Sequence, residues 1–247
     1  MVTLYADPMP DATEGMRAFW DAAAAANAPW YVDTSISYDN PDMDAFWETG
    51  RVIAGLALDG PVQPRTRGLA VEIGPGLGRI LRSLVADHGF ERAVGVDISA
   101  EMVRQARELV PDPRIDFEIG TGAGLGPVDD QSADLVMSFT VFQHIPKVAV
   151  IEQYLAEAGR VLRPGGVLAF QWNNLPGPRR WAVKRELLGA LQKTGIRPER
   201  FRRNAPQFLG SRVSLRRIER ALDRAGLKLC GTRDTDTLFA WAWATKP

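Results

Sequence analysis

The chain has 247 residues, a formal net charge of zero and a single cysteine, Cys230. That length fits one large α/β domain, or a domain with a cap, and is enough to bury a substantial core. One cysteine excludes an internal disulfide and a cysteine-based structural zinc site and points to a reducing compartment, while no apolar run approaches the roughly 20 residues that span a bilayer.

Residues 1–67 precede the first apolar strand. The first 50 residues hold nine acids against one base, Arg17. Met1 to Pro10 carries acid and proline and no basic leader, so no secretory signal is visible and a soluble cytoplasmic protein is expected. Ala18 to Ala28 is alanine-rich and predicts a helix that Pro29 ends. Asp39-Asn40-Pro41-Asp42 reads as a turn and cap before a second helix from about Met43 to Leu58. Trp20, Trp30, Tyr31, Tyr38, Phe46 and Trp47 either pack these helices onto the core or line a pocket.

Residues 69 to 78 read Leu-Ala-Val-Glu-Ile-Gly-Pro-Gly-Leu-Gly, an apolar strand running into a glycine turn. Glycine lets the backbone turn sharply and lets a ligand approach the main chain. Asp97, 19 positions after Gly78, closes the next apolar run, Ala93-Val94-Gly95-Val96. A carboxylate at a strand end there can accept both hydroxyls of a ribose, so an adenosine-containing ligand at the mouth of a parallel sheet is expected. The spacing is not the G-x-G-x-x-G of dinucleotide sites, and no Lys followed by Ser or Thr offers a P-loop.

Val71 to Gly78, with Glu72 two residues before the first glycine, resembles the first motif of class I S-adenosylmethionine-dependent methyltransferases. Asp97-Ile98-Ser99-Ala100-Glu101-Met102 is similar to the family's second motif; Ser99 can cap the next helix, on which Met102, Val103, Ala106, Leu109 and Val110 recur at helical spacing. Ile115 to Ile119 alternates like a strand and runs into Gly120-Thr121-Gly122-Ala123, the loop that passes the adenine in the family. Thr121 or Gly122 stands where the family often has an acid, which leaves the adenine to backbone groups. Asp134 to Phe139 is the fourth strand, and Phe139 to Pro146 resembles the segment near the reacting methyl. Val148, Ile151, Leu155, Ala158 and Leu162 predict a helix packed on the sheet. Leu162-Arg163-Pro164-Gly165-Gly166 is a frequent family turn and opens a fifth strand, Val167 to Trp172.

The resemblance implies an α/β fold: a Rossmann-like doubly wound sheet, mostly parallel with an antiparallel C-terminal strand. It implies an N-terminal helical extension or lid over 1–67 and a core over 68–247 with a helical cap inserted at about 175–213. S-adenosyl-L-methionine is the implied cofactor, with Glu72, Gly74, Pro75, Gly76, Gly78, Asp97, Ile98, Met102, Gly122, Ala123 and Phe139 as implied binding positions. Glu72 can order the turn or reach the ligand's amino group through water.

Beyond the fifth strand, Asn173 to Pro178 is a loop and about Arg180 to Lys193 a helix. From Arg179 to Arg224 the chain has 14 basic residues against 4 acidic ones. Such a block meets either the acidic first segment or an anionic partner. Ser214 can cap a helix bearing Leu215, Ile218 and Leu222, stopped by Gly226. Leu227 to Thr232 and Leu238 to Thr245 read as a closing pair of strands, with Phe239, Trp241 and Trp243 alternating against alanines.

The chain has two histidines. His88 reads as a surface or cap residue. His144 follows the fourth strand and is the candidate catalytic base, or holds the start of the next helix. Gln143, Trp172, Asn173 and Asn174 are weaker acceptor-site candidates. No metal-ligand spacing and no G-x-S-x-G is present, so no metal is expected. The leading function is methyl transfer to an oxygen or nitrogen of a small-molecule acceptor, an anionic one being compatible with the basic stretch. An RNA methyltransferase and a non-catalytic S-adenosyl ligand binder stay open; a nicotinamide oxidoreductase fails on glycine spacing and on the closing strands. Neither a membrane nor a nucleic acid is the expected partner, and the sequence leaves the oligomeric state open.

Overall fold

The computed structural model describes residues 12–175 and 210–247. The expected cap helix at about 180–193 and the basic stretch up to Arg203 lie outside the described residues. Two helices come first, α1 (Ala12–Val32) and α2 (Met43–Leu58). Then follow β1 (Leu69–Ile73), α3 (Arg79–Ala86), β2 (Arg92–Asp97), α4 (Ala100–Leu109), β3 (Ile115–Ile119), β4 (Ala133–Ser138), α5 (Val148–Val161) and β5 (Leu162–Trp172). After the undescribed segment come α6 (Leu215–Arg224), β6 (Lys228–Arg233) and β7 (Ala240–Thr245).

These strands form one seven-stranded sheet in the order β3-β2-β1-β4-β5-β7-β6. β1 runs parallel to β2 and β4, β2 to β3, and β4 to β5. β7 is antiparallel to both β5 and β6. The order reverses between β1 and β4, so the helices leaving those strands diverge to opposite faces and open a crevice at the strands' C-terminal ends.

Both faces are covered, which is why the central strands read as apolar runs. Val71, Ile73, Val136, Leu168 and Phe170 pack under α5 and α6 through Ile151, Leu155, Ile218 and Leu222. The alternate residues Ala70, Leu135, Met137, Val167 and Ala169 pack under α2, α3 and α4 through Ile53, Ala57, Ile80, Leu84 and Val103. The Trp/Ala alternation of β7 follows the same period of two: Trp241 and Trp243 face α2, and Trp243 Nε1 donates to the Ala57 carbonyl at 2.8 Å. Ala240, Ala242 and Ala244 face α5 and α6, where small side chains let the helices approach.

Several local expectations are corrected. Pro29 does not end the first helix. Asn27 breaks it (φ −171°, ψ 77°), and its Oδ1 accepts from Trp30 N at 3.2 Å, a capping contact that restarts the helix. Pro29 then lies in the first turn of the new segment, where an N–H is not needed. Leu109 and Ile119 point outward, 43% and 48% exposed, since α4 is curtailed before Val110 and β3 is the sheet edge. β5 begins at Leu162 rather than Val167, pairing Ala133 with Leu162 before a register shift to Leu135 and Val167. Ser214 precedes α6, but its side chain makes no capping bond. The expected caps Asp42 and Ser99 do bond, to Ala45 N at 3.0 Å and Met102 N at 3.1 Å. Among the described residues no helix is long and apolar enough to cross a membrane.

Candidate active site

The crevice between β1 and β4 is a cleft of about 840 Å³, part of it open to solvent. Its floor is the turn after β1. Gly74 and Gly76 take positive φ (67° and 55°), a region that side chains disfavour. Added methyls would also strike Val141 and Val32 at 2.5 Å, so the turn is pressed between the loop after β4 and the end of α1. Gly78 differs. It does not line the cleft; a Cβ there would meet Phe117 at 2.5 Å, so this glycine seats α3 against the sheet.

Asp97 sits at the end of β2 on the cleft wall. Its Oδ2 accepts from Gly76 N at 3.1 Å and its Oδ1 from Ser99 N at 2.9 Å. Burial pushes its carboxyl above the usual range, against the pull of these backbone bonds. Glu72, on β1, is buried to 1% exposure, and its Oε2 has no hydrogen-bond partner among the described residues. Burial pushes Glu72 up to about 8; Arg79 opposes the shift and Asp97 adds to it. An orphaned buried carboxyl oxygen on a cavity wall marks a place where a donor belongs.

The far wall comes from the segment after β4. Phe139, Thr140, Val141, His144 and Ile145 line it. Thr140 holds a positive φ of 55°, a strained value for a β-branched residue, at the point where the chain leaves the strand. His144 closes a short 3-10 turn, Phe142–His144, and its ring meets Trp20 edge-on at 5.6 Å.

α1 forms the roof through Met16, Trp20, Tyr31 and Val32. It is tied to the loops after β2 and β3: Arg17 donates to the Ile98 and Gly120 carbonyls at 3.0 and 3.1 Å, and Ser99 Oγ donates to Asp21 Oδ1 at 2.6 Å. Of the aromatics left open between packing and pocket, Trp20 and Tyr31 line the cleft, whereas Phe46 is fully buried in the core beneath it.

The cleft thus brings together Glu72, Gly74, Pro75, Gly76, Asp97, Ile98, Met102, Gly122, Phe139 and His144. Gly78 and Ala123 are not among its lining residues. Nor are Gln143, Trp172, Asn173 and Asn174. Trp172 Nε1 donates to the Val213 carbonyl at 2.9 Å, Asn174 Nδ2 donates to the Thr235 carbonyl, and Asn173 Oδ1 accepts from Leu175 N at 3.2 Å, so these three fasten the end of β5 to neighbouring chain. His88, at the end of α3, is half-buried and away from the cleft, and burial pulls its pKa down.

Two polar lining residues outside the motifs were missed in the sequence. Arg79 is 4% exposed and pairs with Asp33. The signal available was a cation at the first position of a helix, where the macrodipole disfavours it. Tyr154 was hidden beside Leu155 in the periodic pattern of α5; its phenol is pushed above the usual range by burial.

The lining combines two carboxyls, one with an unmet oxygen, with aromatic and aliphatic walls. That set suits a ligand carrying a flat apolar ring, vicinal hydroxyls and a cationic end. Residues 71–170 match the family described as methyltransferase domain. Those residues are thus a methyltransferase domain of the class I, S-adenosylmethionine-dependent kind. S-adenosyl-L-methionine is therefore the cofactor of this methyltransferase domain. It is 39% identical over 102 residues to a trans-aconitate 2-methyltransferase from Azoarcus sp. (strain BH72), covering 41% of this chain and 37% of that protein. It is 32% identical over 120 residues to a malonyl-[acyl-carrier protein] O-methyltransferase from Methylococcus capsulatus, covering 48% and 41%. The chain spans less than half the length of these curated relatives. Its fold resembles the crystal structure of an S-adenosylmethionine-dependent methyltransferase from Mesorhizobium loti, with a TM-score of 0.55 at 18% identity, over 77% of this chain and 96% of that one.

Proposed function

We propose that the chain transfers a methyl group from S-adenosyl-L-methionine to an oxygen or nitrogen of a small-molecule acceptor. One observation carries the reading: a single cleft is lined by the glycine turn, the strand-end Asp97 and the post-β4 segment with His144, under a roof of Trp20 and Tyr31. The bound cofactor supplies an activated methyl on its sulfonium.

The chain's own residues do the rest. Asp97 accepts the ribose hydroxyls. Gly74, Pro75 and Gly76 let the amino-acid end lie along the main chain, with Glu72 answering its ammonium. Ile98 and Met102 flank the adenine beside Gly122, and Phe139 stands toward the reacting end. Gly78 and Ala123 act from behind the wall, by packing. Trp20 and Tyr31 exclude water and hold the acceptor in line with the bond to be broken. His144 takes the acceptor's proton as its lone pair forms the new bond. In this reading residues 1–67 are a lid and 68–247 the core.

An anionic acceptor is the finer proposal. It is supported by the basic surplus between Arg179 and Arg224 and by relatives named for trans-aconitate and a malonyl carrier protein. A cytoplasmic site of action is supported by the single cysteine. Calorimetric titration with S-adenosyl-L-methionine should give saturable heat, and turnover over a panel of carboxylates should release S-adenosylhomocysteine. Binding of NADH without binding of S-adenosyl-L-methionine would overturn the reading.

A further inference from the structure

Arg79 opens α3 directly behind the glycine turn and lies buried on the cleft wall. A guanidinium here faces the positive end of the helix and has lost its water, so its position has to be repaid by specific partners. Three of its five N–H groups have them: Nη1 donates to Asp33 and, at 2.5 Å, to Thr49 Oγ1, and Nη2 donates to the Val32 carbonyl at 3.2 Å. Nε–H and the other Nη2 hydrogen donate to no atom among the described residues. Nε and Nη2 form one edge of the guanidinium plane, the edge that takes a carboxylate side-on through two parallel bonds. Phe46 and Phe139 fix that plane, their ring centroids 5.4 and 5.9 Å from Cζ. Glu72, the nearby acid that interacts with Arg79, offers an oxygen without a partner among the described residues. One cation and one acid on the same wall complement an α-amino-acid zwitterion.

We propose that Arg79 receives the α-carboxylate of the cofactor's methionine portion, opposite Glu72, while its Nη1 side stays clasped by Asp33, just past the end of α1. The proposal rests on the cofactor reading above. It makes Arg79 a binding residue as well as a tie between α1, α2 and the glycine turn.

The test is calorimetric titration of the full chain with S-adenosyl-L-methionine and with its decarboxylated analogue, which keeps the nucleoside, sulfonium and amine. Wild type is compared with Arg79→Lys, which keeps a charge opposite Asp33 but loses the planar fork. Wild type should prefer the carboxylate-bearing compound by about tenfold or more, the size expected for a charge-assisted bidentate contact. In Arg79→Lys that preference should shrink to within about threefold, with affinity for the decarboxylated compound nearly unchanged. Equal affinities in wild type, or an undiminished preference in the variant, overturn the proposal. If circular dichroism shows Arg79→Lys unfolded, Arg79→Gln takes its place and is read by the same criteria. Binding of neither compound by wild type overturns the cofactor reading and this proposal with it, and is distinct from equal binding of both.

Discussion

Glu72 and Asp134 lie on adjacent parallel strands, β1 and β4, and each is 1% exposed. Asp134, at the N-terminal end of its strand, is saturated: Thr66 Oγ1 donates to it, Leu69 N donates at 2.9 Å, and Arg163 approaches to 3.4 Å. Glu72, near the C-terminal end, keeps an oxygen without a donor among the described residues and has its carboxyl pushed up to about 8 by burial. One sheet therefore spends buried acids in two ways. At the closed end the acid staples the approach to β1 onto β4. At the open end the acid is left incomplete, and that incompleteness is what gives a cavity chemical selectivity.

The comparison breaks most readily at Asp134. Asp134→Ala strips the part-buried Leu69 N–H, the Thr66 hydroxyl and the half-exposed Arg163 of their acceptor and should cost about 3 kcal/mol of stability in urea unfolding. S-adenosylhomocysteine affinity of the folded variant should stay within about twofold of wild type, since the change lies at the other end of the sheet. Asp97→Ala should do the reverse in emphasis, weakening ligand binding by about 1–3 kcal/mol in calorimetric titration. Unchanged affinity would remove Asp97 from the site.

Glu72 sharpens the contrast through pH. Its folded pKa, about 8, lies above the unfolded carboxyl value, so its contribution to stability is full below about pH 4 and is lost as pH rises toward 8. Glu72→Gln cannot ionise. Wild type should therefore lose stability relative to this variant by up to about 1.4 kcal/mol for each pH unit between 5 and 8, and by nothing more above that range. Parallel melting temperatures across the range would show that Glu72 is not buried as described. The smallest effect expected is at Ser99, whose Oγ caps α4 and donates to Asp21 of the roof. Ser99→Ala should cost about 1 kcal/mol in thermal unfolding.

The parts of the site that could be read from sequence are those built within about ten residues. The glycine turn, Asp97 at its strand end, the Ser99 cap and the Asp42 cap each follow from local turn chemistry and periodicity, and the structure has all four in place. Gly78 looked like its two neighbours in the motif because a pattern of glycines does not say which side each missing Cβ faces. Only Phe117, 39 positions later, reveals that it serves packing. Asn27 hid behind Pro29 for a similar reason: proline is the stronger breaker in isolation, but the capping contact to Trp30 decides where the helix restarts.

The sequence by itself determined the order of strands and helices, the apolar faces that bury the sheet and the ligand-turning loop after β1. These depend on spacing along the chain, which sterics and burial translate directly into element type. The tertiary structure alone decided that α1 roofs the cleft and that Trp20 meets His144. It also decided that Tyr154 reaches the wall and that Asp33, Thr49 and Arg79 converge behind the glycine turn. Those contacts join residues far apart in sequence through the reversal of strand order between β1 and β4, and no local pattern encodes the distance between two segments that only the folded sheet brings together.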